Sequence, residues 1–424
     1  MVGAYGFEPH ELRAAALGEI HARPFIRAET PSRMLLFAFT TDAAGGTKPV
    51  EALVELARSR GLPPPDTGAK QIRLDFSPAR LVFERHGEFV TYSWSFPGGT
   101  EPFRPAADEL QSVMRLLPQP GPLLVAADLH LIAEENAPED IVGLFAGPAV
   151  AASSIDEGRA TIASDFSADA FGFVRFLVID KSLSPESAGA LTQRLLEIET
   201  YRMLALLGLP VAQRLSVPIR RIEDELPQLL MAVEKERGME ADRKLLDRLT
   251  AIATELETGS SESLFRLGAT RAYHELVRAR LESIRESRMP HYSTFSSFLS
   301  RRLTPAMRTC ATIEQRQASL SSKIARIAEL LRTRVDIELE SQNADQIRQM
   351  AERVRLQLQL QQTVEGLSIA AITYYISSVL HLLFEGAHAA GMHVNANIAT
   401  GVAVPIVFAV VTSIVWRIRH KHKE

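Results

Sequence analysis

Five polar residues within and beside a long apolar run are the strongest candidates for chemistry in this sequence. They are separated by steps of three and seven residues, which fits one stripe of a supercoiled helix: Glu365, Ser368, Tyr375, Ser378 and Glu385. Polar groups at the depth of a bilayer face other helices or water, because lipid cannot hydrogen-bond them. The stripe therefore predicts either the lining of a pore or cavity, or a dry contact between helices.

Two apolar runs, Val364–Phe384 and Ile398–Trp416, are long enough to cross a membrane. A helix needs about 20 apolar residues to cross a hydrocarbon core of roughly 30 Å. A cluster of basic residues, typical of a cytoplasmic end, follows the second run: Arg417, Arg419, Lys421 and Lys423. These features predict a two-pass membrane protein with both termini in the cytoplasm. A helical hairpin buried in a soluble core is the alternative.

The net charge, the cysteine count and the motifs of the sequence exclude several classes of function. The net charge is only −4, so nothing predicts nucleic-acid binding. Cys310 is the single cysteine, which excludes an intrachain disulfide and fits a reducing compartment. We find no phosphate-binding loop, nucleophile elbow or zinc-type histidine spacing, so we expect no enzyme and assign no catalytic residue. Metal ligands cannot be assigned from the pattern.

Two short polar segments have open roles. The HARPF segment at 21–25 is either a ligand-facing turn or a helix terminus at Pro24. The second segment forms a charged hairpin tip at Glu84, Arg85, His86 and Glu88, and we expect a solvated turn there.

Residues 1–182 predict one cytoplasmic α/β domain with a single sheet. Segments rich in β-branched and aromatic residues, bounded by turn residues, predict its strands: 34–40, 72–76, 81–85, 89–96, 123–131 and 171–179. Helices are expected near 48–60 and 103–116.

The sequence patterns predict a helical and coiled-coil stalk at 183–363. They predict a transmembrane hairpin with a basic tail at 364–424. Gly238 and the Gly259–Ser261 stretch separate the expected helices: 186–207, 214–236, 239–257 and 261–287. A very long helix is expected from about Pro305 to Phe384. Its apolar residues follow coiled-coil spacing and predict self-association: Leu320, Ile324, Ile327 and Leu331. The overall fold class is therefore α+β.

Six segments resemble a bacterial family of membrane-anchored proteins, a domain-of-unknown-function family. They are EIHARPF at 19–25, FERHGEFVTYSW at 83–94, IETYRMLALLGLP at 198–210, FLSRRLTPAMRTC at 298–310, LLRTRVDIELESQN at 330–343 and LQLQQTVEGLSIAAITYY at 358–375. The resemblance covers nearly the whole chain and implies the bacterial inner membrane. It implies no activity.

The order of the predicted elements also resembles the CorA-type divalent-cation channels. These are pentamers in which a very long helix becomes the pore-lining first span, and their outer loop opens with Gly-Met-Asn. The corresponding loop here carries Gly391, Met392 and, displaced by two positions, Asn395. This resemblance implies a homo-oligomer, a pentamer by analogy, and a divalent cation such as magnesium, with no other cofactor.

Two functions from different classes remain open. The first is a CorA-like homo-oligomer in the lipid bilayer that moves or senses a cation. The second is a membrane-tethered scaffold whose cytoplasmic domain binds a partner without transport.

Overall fold

The computed structural model describes residues 8, 10–13, 16–17, 26–41, 47–99, 101–103, 115, 117–392 and 395–421. The HARPF segment and most of the helix expected at 103–116 lie outside these residues. Within them the chain has mixed α+β structure, with one nine-stranded sheet and several long helices. The α+β fold class is confirmed at this level.

The sheet has the order β2-β3-β4-β1-β5-β8-β7-β6-β9. All neighbouring strands are antiparallel except β5 and β8, which are parallel. The strands are β1 (Ser32–Thr40), β2 (Gln71–Phe76), β3 (Ala79–Arg85), β4 (Phe89–Pro97), β5 (Leu123–Ala133), β6 (Ala151–Ile155), β7 (Ala160–Ser164), β8 (Val174–Asp180) and β9 (Glu286–Arg288).

Six of these strands coincide with predicted ones, and β8 begins later than expected. Its start is set by Asp169, whose carboxylate accepts the backbone N–H groups of Phe171 (2.8 Å) and Phe173 (2.9 Å). This turn holds Phe171 outside the sheet, where it is exposed.

Strands β6, β7 and β9 were not predicted. The segments AASSI and ATIAS of β6 and β7 contain mostly alanine and serine, which have little intrinsic preference for strands. Both strands are almost entirely buried, so tertiary packing overrides their weak propensity. The expectation that no strand follows Ser184 is wrong, because β9 pairs with β6 at the sheet edge.

The helices are α1 (Thr47–Ser59), α2 (Pro185–Leu206), α3 (Gly208–Lys235), α4 (Met239–Ser283), α5 (Phe295–Ala389) and α6 (Ala396–Lys421). Ser184 caps α2 by accepting the Ser187 N–H at 3.2 Å, and Pro185 follows at the first helical position. One face of the sheet packs on α1 through a cluster that includes Leu35, Leu53 and Trp94. The opposite face packs on α2 and the beginning of α5.

The predicted break at 259–261 is wrong, because α4 continues through it. The glycine at 259 allows α4 to pack closely on α3, because a Cβ there would lie only 3.2 Å from a Leu215 methyl group. Ser263 donates to the Gly259 carbonyl at 2.7 Å and thereby remains within the helix.

Helix α5 begins ten residues earlier than the expected start at Pro305. Phe295, Phe298, Leu299 and Leu303 belong to the core under the sheet, and their burial stabilises the turns before the proline. A proline inside a helix costs roughly 3 kcal/mol. The burial of this first segment outweighs that cost.

The predicted seam of α5 is buried within the chain itself. Leu320, Ile324, Ile327 and Leu331 are each less than one-tenth exposed. The α5 segment before Ile327 packs on α3 and α4, where Arg316 donates to Glu223 at 2.9 Å and Gln317 donates to the Leu256 carbonyl at 3.1 Å. The expectation that this seam associates with other copies is therefore wrong.

The chain divides into two compact units. The first comprises residues 1–232 and 247–327 and contains the sheet; the second comprises 233–246 and 328–424. In the second unit, Arg334 contacts Asp242 at 3.1 Å and donates to the Val233 carbonyl at 2.9 Å. The same unit contains α6 and the last two-thirds of α5.

Two helical stretches are long and apolar enough to cross a membrane, one at the end of α5 and one in α6. Only 11% of the first stretch and 6% of the second are buried. A core helix of a soluble protein with this hydropathy would be mostly buried. The alternative of a hairpin hidden in a soluble core therefore loses its support.

Candidate functional site

The polar stripe of the first apolar stretch lies mainly on a face that α6 leaves uncovered. Tyr375 is 69% exposed and Ser368 is also exposed, whereas Ser378 is half-buried. An α-helix turns about 100° per residue, so these three side chains fall within about 80° of one another. Glu365 and Glu385 lie on either side of this group, because their spacing drifts around a helix with 3.6 residues per turn. The central residues thus share a face, and the two acids flank it.

The opposite face of α5 packs on α6 through polar side chains that the stripe did not include. Thr373 and Ser377 are buried there. Thr373 donates to the Ile369 carbonyl at 2.7 Å, whereas the Ser377 hydroxyl has no hydrogen-bond partner. The signal for this face was their spacing of four residues, together with small residues in α6 at the same interval: Ala399, Ala403, Val407 and Val411.

A hydrogen bond joins the two helices near their connection. His381 Nδ1 lies 2.9 Å from Thr400 Oγ1, and the Thr400 hydroxyl donates to the Ala396 carbonyl at 2.7 Å. The imidazole can make this contact in either tautomer, because Nδ1 either accepts from the hydroxyl or donates to its oxygen. His381 Nε2 lies 3.5 Å from a carboxylate oxygen of Glu385. One residue of the predicted stripe is thus linked to the contact between the helices.

The loop residues of the Gly-Met resemblance terminate and start helices. Gly391 has φ +91°, and its N–H donates to the His388 carbonyl at 3.1 Å, which ends α5. Asn395 accepts the Ile398 N–H at 3.4 Å and caps α6. Met392 is exposed. Residues 393 and 394 lie outside the described part of the chain.

Helix α5 contains a segment, directly before its apolar stretch, in which every residue from Leu339 to Val364 is exposed. We call residues 339–364 the bare segment. Large apolar side chains are exposed on it, at Leu339, Ile347, Met350, Val354, Leu356, Leu358, Leu360 and Val364. Most helical stability in proteins comes from packing of an apolar face, and within the described residues the bare segment has no such packing.

The hairpin tip at 84–88 is not the solvated turn that we expected. Glu84 and His86 have side chains only 17% exposed, and their Oε2 and Nε2 atoms are 3.8 Å apart. The His86 ring stacks on Phe89 at 4.1 Å, and Glu88 pairs with Arg266 of α4. The tip contacts α4 through the Glu88–Arg266 pair, and Glu84 is held within the sheet by Gln71 of β2.

A buried ionic network crosses β1 and β5. Arg33 donates two hydrogen bonds to Asp128, at 2.9 and 2.8 Å, and His130 Nε2 lies 3.4 Å from the same carboxylate. Burial opposes ionisation of Asp128, but the contacts with His130 and Arg33 outweigh it and lower its pKa. Burial also lowers the pKa of His130, despite the attraction of Asp128. The network holds two strands together, and nothing in it predicts catalysis.

Among the described residues, no group of three or more histidine, cysteine, aspartate or glutamate side chains is arranged to hold a metal ion. The candidate site within one chain is therefore the polar and apolar surface of α5 and α6 and not a preformed ion site.

Residues 8–422 match the family described as "Protein of unknown function (DUF3422)". The chain belongs to this family. The comparison with curated proteins finds no match.

Proposed function

We propose that this member of the DUF3422 family is a membrane-anchored homo-oligomer of CorA-like architecture, in which copies of the first span surround a path for a divalent cation. The observation that carries the proposal is the position of Ser368 and Tyr375. They lie within a stretch apolar enough to cross a membrane, on the face that α6 does not cover.

Anchoring follows from the two exposed apolar stretches. In water their exposed side chains would be costly, whereas in a bilayer they are solvated by lipid. The exposed Arg417 and the basic residues that follow it in the sequence favour a cytoplasmic C-terminus. With two spans, the N-terminal sheet domain is then cytoplasmic too. A periplasmic-only signal from a reporter fused after Glu424 would refute this topology.

Self-association follows from the first span and the bare segment together. Lipid offers no hydrogen bonds to Ser368 or Tyr375, so these groups need protein or water. The bare segment lies on the same helix directly before the span and also needs a partner. A second copy of α5 satisfies both needs, because it presents the same surfaces at the same depths. The resemblance to CorA-type channels makes five the expected number of copies.

A cation path is the function that a polar, water-facing stripe would serve. Ser368, Tyr375 and Ser378 offer hydroxyl oxygens, which are ligands suited to hard cations such as magnesium. Glu365 and Glu385 add negative charge at the two ends of the apolar stretch. Such charges raise the local concentration of cations at a pore mouth.

Cysteine accessibility distinguishes a wet path from a dry contact. Cys310 is first replaced by serine, and single cysteines are placed at 368, 375 and 378. A small charged thiol reagent attacks the thiolate, which forms in water and not in hydrocarbon. We expect reaction at these positions and none at matched positions 376 and 383, which are exposed on α5 but flank the stripe. Silence at all three stripe positions would refute the path.

A membrane-tethered scaffold is the second candidate. Tyr375 favours it, because a phenol can both pack and hydrogen-bond in a dry contact between helices. In that case the copies would still associate, and the stripe would be protected from the reagent. The two candidate functions therefore predict different reactivity of the stripe cysteines toward the thiol reagent, but the same oligomeric state.

A further inference from the structure

A polar cavity lies between one face of the sheet and α2. Its volume is about 320 Å³. Small-molecule sites typically measure about 300–1,000 Å³, so this cavity has room for a small ligand. The side chains that β2, β3 and β4 turn toward the cavity are mixed: Gln71, Glu84 and Thr91 are polar, whereas Val82 and Phe89 are apolar.

The floor of the cavity is a row of three polar residues across three strands. Gln71 of β2 pairs in register with Glu84 of β3, which pairs with Thr91 of β4. Gln71 Nε2 donates to Glu84 Oε1 at 2.8 Å. Thr91 is only 4% exposed, and its hydroxyl has no hydrogen-bond partner. An unsatisfied buried hydroxyl costs about 1–3 kcal/mol, so a ligand group that hydrogen-bonds to it would be stabilised at this position.

The wall opposite this floor is contributed by helices. Gln193 of α2 donates to Glu197 at 3.0 Å, and Arg280 of α4 donates to the same carboxylate. The strong donors of the wall are thus already directed at Glu197. Apolar side chains of Met34, Leu36 and Leu196 complete the lining.

The charges of the lining select the ligand. Among the described side chains that line the cavity, the titratable groups are the carboxylates of Glu84 and Glu197, the guanidinium of Arg280 and the imidazole of His86, which lies 3.8 Å from Glu84. An anion would meet a net negative surface, whereas a cation would be attracted to it. From this geometry we propose that the cavity binds a small organic cation, with an ammonium group at the Glu84–Thr91 floor and an apolar body against Leu36 and Leu196.

Three probes with the same aromatic body and different heads test the proposal: 2-phenylethylamine, 2-phenylethanol and phenylacetate. Their Kd values for the full chain in detergent are measured by ligand-observed NMR at pH 8. We expect the amine to bind about ten-fold more tightly than phenylacetate, because only the ammonium group gains a charge contact with the carboxylates of the cavity. Equal binding of all three probes, tighter binding of phenylacetate, or no binding of the amine would each overturn the proposal.

Two isosteric variants assign the effect to the floor. Glu84→Gln should remove the preference for the amine over the alcohol, since both heads then meet a neutral amide. Thr91→Val should weaken both by about two- to ten-fold, the worth of one hydrogen bond. The control is Glu282→Gln, an exposed carboxylate of α4 that does not line the cavity, and it should leave all Kd values unchanged. Unchanged selectivity in Glu84→Gln, with circular dichroism that matches the parent protein, would overturn the placement of the ammonium group.

Discussion

Two rows of apolar residues on α5 should respond in opposite ways to the same substitution. Ile324 is 1% exposed and belongs to the buried row, whereas Ile347 is 66% exposed and belongs to the bare segment. Burial of an isoleucine is worth about 1.5–3 kcal/mol, and an unpaired buried carboxylate costs several kcal/mol more. Ile324→Asp should therefore remove a large part of a typical stability of about 5–15 kcal/mol. Ile347→Asp should change the stability of one chain by no more than about 0.5 kcal/mol.

The oligomeric state should depend on the exposed row of α5, whereas the stability of each chain should depend on the buried row. Ile347→Asp combined with Met350→Asp introduces like charges into a contact between copies, so the assembly should dissociate while each chain stays folded. Light scattering in detergent reports the mass, and circular dichroism during heating reports the fold. Gln346→Asp combined with Gln349→Asp is the matched control, because it adds the same two charges to the same exposed segment without removing an apolar side chain. An unchanged mass in the double variant, or a folded but dissociated Ile324→Asp protein, would refute the assignment of the two rows.

Three further predictions concern the sheet domain. Asp128→Asn leaves the Arg33 side chain, which is 11% exposed, without its carboxylate, and should destabilise the fold by about 3–5 kcal/mol in urea unfolding. The double variant Arg33→Met/Asp128→Leu should recover most of this loss, and a double variant as unstable as the sum of both single variants would contradict the pairing. The folded-state pKa of His130 is lowered, so the unfolded chain takes up the proton first; stability should be intact above about pH 6.5 and fall as the pH drops below it. His130→Asn should flatten the plot of stability against pH in this range, and an unaltered slope would contradict the assignment of the pH dependence to His130. Gly189→Ala should lower the melting temperature, because its Cβ would lie 1.7 Å from the Ile26 carbonyl oxygen, whereas Gly268→Ala in open space on α4 should raise it.

Strands with alternating patterns were predictable, and those made of small residues were not. In β4, the sequence FVTYSWSFP alternates between the α1 core and the cavity, so both its existence and its two faces could be predicted. In β7, the sequence ATIAS is buried on both faces, and its alanines and serines carry no period. Only the contact with β6 and β8 makes this segment a strand.

Helix boundaries depended on tertiary packing in the same way. Gly259 is a sequence signal for a break, yet its missing side chain permits the close approach of Leu215. Pro305 is a sequence signal for a helix start, yet Phe295 and Phe298 are anchored in the core ten and seven residues before it. Each signal was interpreted locally, and the decisive contact comes from a residue distant in the sequence.

The candidate site was predictable in its residue types and less so in its faces. The spacing of three and seven residues groups Ser368, Tyr375 and Ser378 on one side of a helix but does not indicate which neighbour they face. Periodicity alone cannot separate a contact within the chain from a contact between copies, because both require polar groups away from lipid. Burial in the structure supplies the missing information: Thr373 and Ser377 are buried, whereas Ser368 and Tyr375 are exposed.

On the proposed function, the two polar faces of the first apolar stretch have different partners. Thr373, Ser377 and His381 belong to the contact within one chain, where His381 is already hydrogen-bonded to Thr400. Substitution of Thr400 by valine should weaken this hairpin by about 0.6 kcal/mol, the average worth of a hydrogen bond between membrane helices. It should leave the mass of the assembly and the reactivity of a cysteine at 375 unchanged, because both depend on the other face. Loss of the assembly in Thr400→Val would mean that the copies associate through α6, and the stripe would then face lipid or α6 of a neighbouring copy.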